Sequence, residues 1–183
     1  MPKNIKFLTI LIIGIISLSS SAYAAVDSEV SYILNTLLFL ISGFLVMWMA
    51  AGFAMLESGL VTSKSVATIA AKNIGLYSIA GLMFWFIGYN LAYGIPEGGF
   101  IGTLLPWSDA SSIEKGYSDG SDWFFQMVFC ATTCSIVSGT MAERIKIWPF
   151  FLFCAILAGI IYPIEMGWQW GGGHLATAGF SDF

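Results

Sequence analysis

Phe125 and Phe129 lie four residues apart in the stretch 122–146, DWFFQMVFCATTCSIVSGTMAERIK. On a helix that spacing puts both rings on one face, with Gln126 beside them and Thr133 one turn deeper. Aromatic faces attract a cation by about 0.5–2 kcal/mol each, more where water is excluded. Trp168 and Trp170 follow in a glycine-rich segment, and one of them would close the two phenyl rings into a cup. Such a cup suits something small that does not linger. The same rings also suit an interfacial aromatic belt, which needs no ligand. Asp182 begins what reads as a further apolar segment. A buried acid in a membrane is functional by default, whereas an acid at a helix start is usually a cap, and both readings stand.

Other chemistry is poorly represented. Cys130 and Cys134 are one helical turn apart and Cys154 follows on the next helix. No histidine or carboxylate lies beside the first two in the uncharged run between Asp122 and Glu143, so they read as packing thiols rather than metal ligands. His174 is the single histidine and reads as a loop residue beside Gly171, Gly172 and Gly173. The triple glycine is not followed by Lys-Ser/Thr, which argues against a phosphate-cradling loop. No catalytic triad and no metal constellation is identifiable, so neither an enzyme nor a cofactor is expected.

The elements that must position these residues follow from composition. Apolar residues make up 57% of the 183, charged residues only 10%, and the mean hydropathy is +0.82. A soluble domain of this size carries far more charge, so the sequence is that of an all-α integral membrane protein. The net charge of −4 argues against nucleic-acid binding. Lys3 and Lys6 precede a short apolar run that ends at Ala22-Tyr23-Ala24, the pattern of a cleavable signal peptide over 1–24. An uncleaved first helix is the alternative. Cleavage there would remove two lysines and take the formal charge from −4 to −6.

Four spans are expected, at about 31–56, 66–92, 122–142 and 148–163. The outer loop covers 94–121, and the tail after Glu165 is too polar and broken to span. Lys72, early in the second span, is expected to snorkel back to the surface. In the third span Ser135 and Gly139 form a small-xxx-small pair for close helix approach. Lys64, Lys72, Arg144 and Lys146 fall on one side of the spans and only Lys115 on the other. The first side is therefore expected in the cytoplasm, with the mature N-terminus and the 94–121 loop outside. Most acids also fall outside, where they modestly concentrate cations within about 10 Å.

Three stretches are more specific: AGFAMLESGLVTSKSV (51–66), the 122–146 stretch, and YPIEMGWQWGGGHLATAGFSDF (162–183). Together they resemble the ammonium transporter family, the Amt, methylammonium permease and Rhesus superfamily. The resemblance implies the N-terminal part of an eleven-helix fold surrounding a narrow pore, here four transmembrane helices plus the start of a fifth within 25–183, in a plasma-membrane homotrimer. It implies that Phe125 and Phe129 are the aromatic residues of the outer vestibule and that Trp170 completes the ammonium recruitment site. Asp182 matches the family's buried aspartate, which supports that site and the deprotonation step. A PII-type regulatory protein is an implied cytoplasmic partner. The family's paired pore histidines come from later helices, and His174 matches neither. An ammonium-sensing receptor module, or a non-transporting fragment assembling with a complete subunit, are the alternative functions.

The Ala22-Tyr23-Ala24 pattern predicts cleavage between Ala24 and Ala25. N-terminal sequencing of membrane-purified protein should begin at Ala25, and intact Met1 would instead identify the segment as an anchor.

Overall fold

The computed structural model describes residues 27–182, so the expected signal peptide at 1–24 lies outside the described residues. Among the described residues four helices are long and apolar enough to cross a membrane. Helix α1 is Ser28–Leu60. Helix α2 comprises Val66–Met83, a π-helical stretch Phe84–Gly88 and a last turn Tyr89–Tyr93. Helix α3 is Asp119–Met141. Helix α4 comprises Ile147–Ile156, a second π-helical stretch Leu157–Ile161, and Tyr162–Gln169. A single turn, α5 (His174–Thr177), follows.

Local chemistry sets the ends. Asp27 caps α1 by accepting the Glu29 N–H at 3.3 Å, satisfying one of the orphan donors of a first turn. Asp119 opens α3, where a carboxylate meets the positive end of the helix dipole; it also accepts the Ala110 N–H at 3.0 Å and pairs with Lys115. The start of α3 therefore falls inside the expected 94–121 loop. Helix α1 packs along α3 through a reciprocal exchange. A Cβ at Gly43 of α1 would come within 2.6 Å of the Phe124 ring, and one at Gly139 of α3 within 2.9 Å of the Phe53 ring. Each helix thus gives the other one ring and one bare backbone position. Leu76, Phe84, Val128, Cys134, Phe150 and Cys154 fill the space among α2, α3 and α4. All three cysteines are free and buried.

Helix α4 continues past Pro163, where the sequence reading ended it. Proline lacks an N–H and its ring crowds the carbonyl four residues earlier. The π-helical stretch relieves both problems. Tyr162 N–H reaches back five residues to the Leu157 carbonyl, and the Ala158 carbonyl instead accepts the Cys130 thiol at 3.4 Å. Helix α2 uses the same device. Tyr89 N–H reaches back to Phe84, while the Trp85 carbonyl takes the Trp107 N–H of the long loop at 2.8 Å.

Lys72 does not snorkel. Only 4% exposed, it pairs with the equally buried Glu57 of α1 and donates to the Ser138 carbonyl of α3 at 3.0 Å. Asn73 and the Ser138 hydroxyl complete the carboxylate's shell at 2.8 and 3.0 Å. A buried acid within reach offers the ammonium more than the distant headgroups do. The network joins α1, α2 and α3 near the bundle end that carries Lys64 and Arg144.

At that same end Glu143 adopts φ 61°, a left-handed conformation costly for a residue with a side chain. Its carboxylate gathers three donors from the α1–α2 connection: the Thr62 hydroxyl, the Ser65 hydroxyl at 2.8 Å and the Thr62 N–H at 3.1 Å. These bonds, that of the Thr62 hydroxyl foremost, hold the Glu143 carboxyl below its usual range.

Two stability predictions follow from this end of the bundle. Lys72→Met strands a buried carboxylate and should cost about 3–5 kcal/mol. The double change Lys72→Met with Glu57→Leu removes both charges and should recover most of the loss in detergent-solubilised thermal unfolding. For Glu143, a depressed folded pKa means the stabilisation is present above the unfolded carboxylate value and lost as pH falls through the folded one. Acid titration of the melting temperature should therefore fall less steeply in Glu143→Gln than in wild type.

Candidate vestibule at the loop end

Two stripes of side chains at four-residue spacing face each other at the bundle end that carries the long loop. Helix α3 contributes Phe125 and Phe129, whose ring centroids are 5.1 Å apart at 86°. Helix α4 contributes Tyr162, Met166 and Trp170. Together with Gln126 and Asp182 they line one cavity of about 280 Å³. Phe129 is 37% exposed and Trp170 57%, so the aromatic faces are open to a solute. Phe39 of α1 backs the cup at 5.4 Å from Phe125.

All four residues singled out from the sequence, Phe125, Phe129, Trp170 and Asp182, thus surround a single cavity. Trp168 does not join them. Its indole N–H donates to the Phe100 carbonyl at 2.9 Å, and its ring meets the His174 ring at 5.0 Å. His174 also stacks on Phe100 at 4.3 Å. This triad pins the 94–118 loop to the segment after α4. Asp182 is exposed, unlike the buried aspartate implied by the resemblance. Its Oδ2 accepts the Trp170 indole N–H at 3.0 Å and fixes the tilt of that ring.

Trp170 owes its place to the glycines around it. A Cβ at Gly171 would lie 2.0 Å from the Ala92 carbonyl oxygen of α2, so only bare backbone fits. The Gly173 N–H returns to the Gly167 carbonyl at 3.1 Å and closes the turn after α4. The triple glycine is therefore a packing device that lets α4 end against α2.

No lysine or arginine lines the cavity. Behind it Asp122 is 6% exposed and accepts the Tyr89 hydroxyl at 2.6 Å and the Gln126 amide at 3.3 Å. The site can attract a small cation through ring faces and carboxylates; it presents no nucleophile poised beside a base. Sequence reading passed over Asp122, Tyr89, Tyr162 and Met166. The i, i+4 spacings Asp122–Gln126 and Tyr162–Met166–Trp170 carried the signal for all but Tyr89, which arrives from another helix.

Comparison with known proteins identifies the family of the chain. The model of the Ammonium Transporter Family matches residues 37–183. A putative ammonium transporter of Synechocystis sp. is 37% identical over 162 residues, 85% of this chain and 36% of the relative. Ammonium transporter Amt2 of Archaeoglobus fulgidus is 42% identical over 147 residues, 77% of this chain and 30% of the relative. Among solved structures, a sensor Amt protein superposes with TM-score 0.67 at 32% identity, covering 75% of this chain and 34% of that one. Mep2 of Saccharomyces cerevisiae superposes with TM-score 0.72 at 24% identity over 84% of this chain and 36% of its own, which shows the shared fold. The chain spans about a third of the length of these relatives. With the family model matched across most of its length, the chain belongs to the ammonium transporter family.

Proposed function

We propose that this chain supplies the ammonium-receiving outer vestibule of a transporter in the plasma membrane, with Phe125, Phe129, Trp170 and Asp182 as its substrate-binding residues. One observation carries the reading: two phenyl rings, an indole and a carboxylate, far apart in sequence, line one cavity that is open to solute and free of fixed cations. Ring faces favour a cation that can shed water, and the N–H donors of ammonium distinguish it from a bare ion. A charged ammonium would pay heavily to go deeper among apolar side chains, whereas neutral ammonia would not. Separation of proton and ammonia below the cup fits that difference.

The basic residues at the opposite end support a cytoplasmic assignment for it and an outer position for the cup. Lys72 is paired inside the bundle and adds little to that bias, leaving Lys64, Arg144 and Lys146. A homotrimer, a PII-type protein at the basic end and a cleaved signal peptide belong to the same proposal. Likeness to a sensor Amt protein at 32% identity favours a second reading, in which the same cup reports ammonium to a signalling domain.

Residues 1–183 are a truncated N-terminal portion in this proposal, and four spans do not close a pore. Expressed alone in cells without other ammonium transporters, they should give no methylammonium uptake above background. The product of the complete gene should take up methylammonium, and Trp170→Ala should weaken its apparent affinity about two- to thirtyfold, the worth of one cation–π contact. Uptake by 1–183 alone that Trp170→Ala abolishes would show that the portion assembles a pore without further helices. A complete product that binds ammonium but carries none would move the assignment to the sensor.

A further inference from the structure

Gln126 lies on the cavity wall beside the two phenyl rings, and the ends of its amide are chemically opposite. Its Nε2 donates to Asp122 Oδ1 at 3.3 Å. A carboxylate only accepts, so the amide NH2 is held towards Asp122 and the carbonyl Oε1 is left on the other side. Gln126 lines the cavity and Asp122 does not. Asp122 is itself held in place. It is 6% exposed, has no cationic partner among the described residues, and its Oδ2 accepts the Tyr89 hydroxyl at 2.6 Å. Tyr89 in turn is packed edge-to-face against Phe84 at 6.0 Å and Trp107 at 6.5 Å. Among the described residues nothing donates to Gln126 Oε1.

We propose that Gln126 is a specificity-determining residue of the vestibule, its Oε1 accepting an N–H of the cation whose charge rests on the Phe125 and Phe129 rings. Asp122 and Tyr89 are the positioning residues that fix which end of the amide faces the substrate. The proposal rests on the cavity receiving ammonium or an alkylammonium ion. Ring faces sense charge and size with little regard for N–H groups, so a directional acceptor adds what they lack. A bare potassium ion needs a shell of oxygens to replace its water, and one carbonyl with two rings does not provide it.

The test uses the complete gene product in cells lacking other ammonium transporters, with methylammonium as the probe and membrane abundance measured for each variant. Gln126→Met keeps the side chain's length and removes the acceptor. It should raise KM about tenfold while Vmax changes less than about threefold, the loss expected for one hydrogen bond to a charged group. Asp122→Asn lets the amide turn either way and should raise KM by a smaller factor. Asp122→Asn with Gln126→Glu reverses donor and acceptor, keeps an oxygen towards the cavity, and should return KM to wild type or below. A merely structural hydrogen bond would move abundance and leave KM alone. KM within twofold of wild type in Gln126→Met, or a double variant as impaired as Gln126→Met, overturns the assignment. If Gln126→Met does not accumulate, Gln126→Leu replaces it, and absence of both gives the amide a folding role and also overturns the assignment. A wild-type protein that carries no methylammonium removes the transport reading and this inference together, whereas an active wild type with an unchanged Gln126→Met removes this inference alone.

Discussion

In hydrocarbon there is no water to take up an unpaired hydrogen bond, and each orphaned polar group costs several kcal/mol. The two helix breaks and the buried Glu57–Lys72 pair are arranged around that constraint. Where α2 and α4 widen into π-helical stretches, the regular ladder is broken and carbonyls are released. Each released carbonyl described above is claimed by another element: Trp85 by the Trp107 N–H, Ala158 by the Cys130 thiol. The breaks thereby become joints, one tying the long loop to α2 and the other tying α3 to α4. Glu57 obeys the same rule with a full charge. Its carboxylate is met by Lys72, Asn73 and Ser138 from two further helices.

The vestibule depends on those joints. Phe125 and Phe129 need only one helix to be neighbours, but Trp170 reaches them because α4 continues past Pro163 and then stops against α2 at Gly171. The thiol bond from Cys130 sits one residue beyond Phe129, so the contact that stabilises the widened turn of α4 also sets its height against the aromatic face of α3. Packing and recognition share the same few residues.

Much of this was legible in the sequence. Long apolar runs bounded by charge gave four spans, and the i, i+4 placement of Phe125 and Phe129 put both rings on one face. The choice of Trp170 over Trp168 came from the family resemblance and not from spacing, because physically it turns on which indole finds the Phe100 carbonyl and which finds Asp182. The continuation of α4 was hidden by Pro163, whose usual effect is cancelled by a ladder defect that no local pattern announces. Lys72 was misread for a related reason. A lone lysine near a helix end resembles an anchor, and its partner Glu57 lies on another helix 15 residues earlier. Asp122 and Tyr89 are 33 residues apart and meet only after α2 and α3 have packed.

The widened turn of α2 also has a meaning for the register of the chain. A π-helical turn accommodates one residue more than the α-ladder around it, and one residue is about 100° of helical rotation. Everything after Gly88 is therefore turned by roughly that angle relative to a helix without the extra residue. Tyr89 presents its hydroxyl to Asp122, and Asn90 its amide to the Leu105 and Pro106 carbonyls, only in the rotated frame. A chain one residue shorter at this point would keep its hydrophobicity, its length and its helical content, yet turn the last turn of α2 away from these partners. The count of residues along α2 is in this sense part of the vestibule, as much as any side chain that lines it.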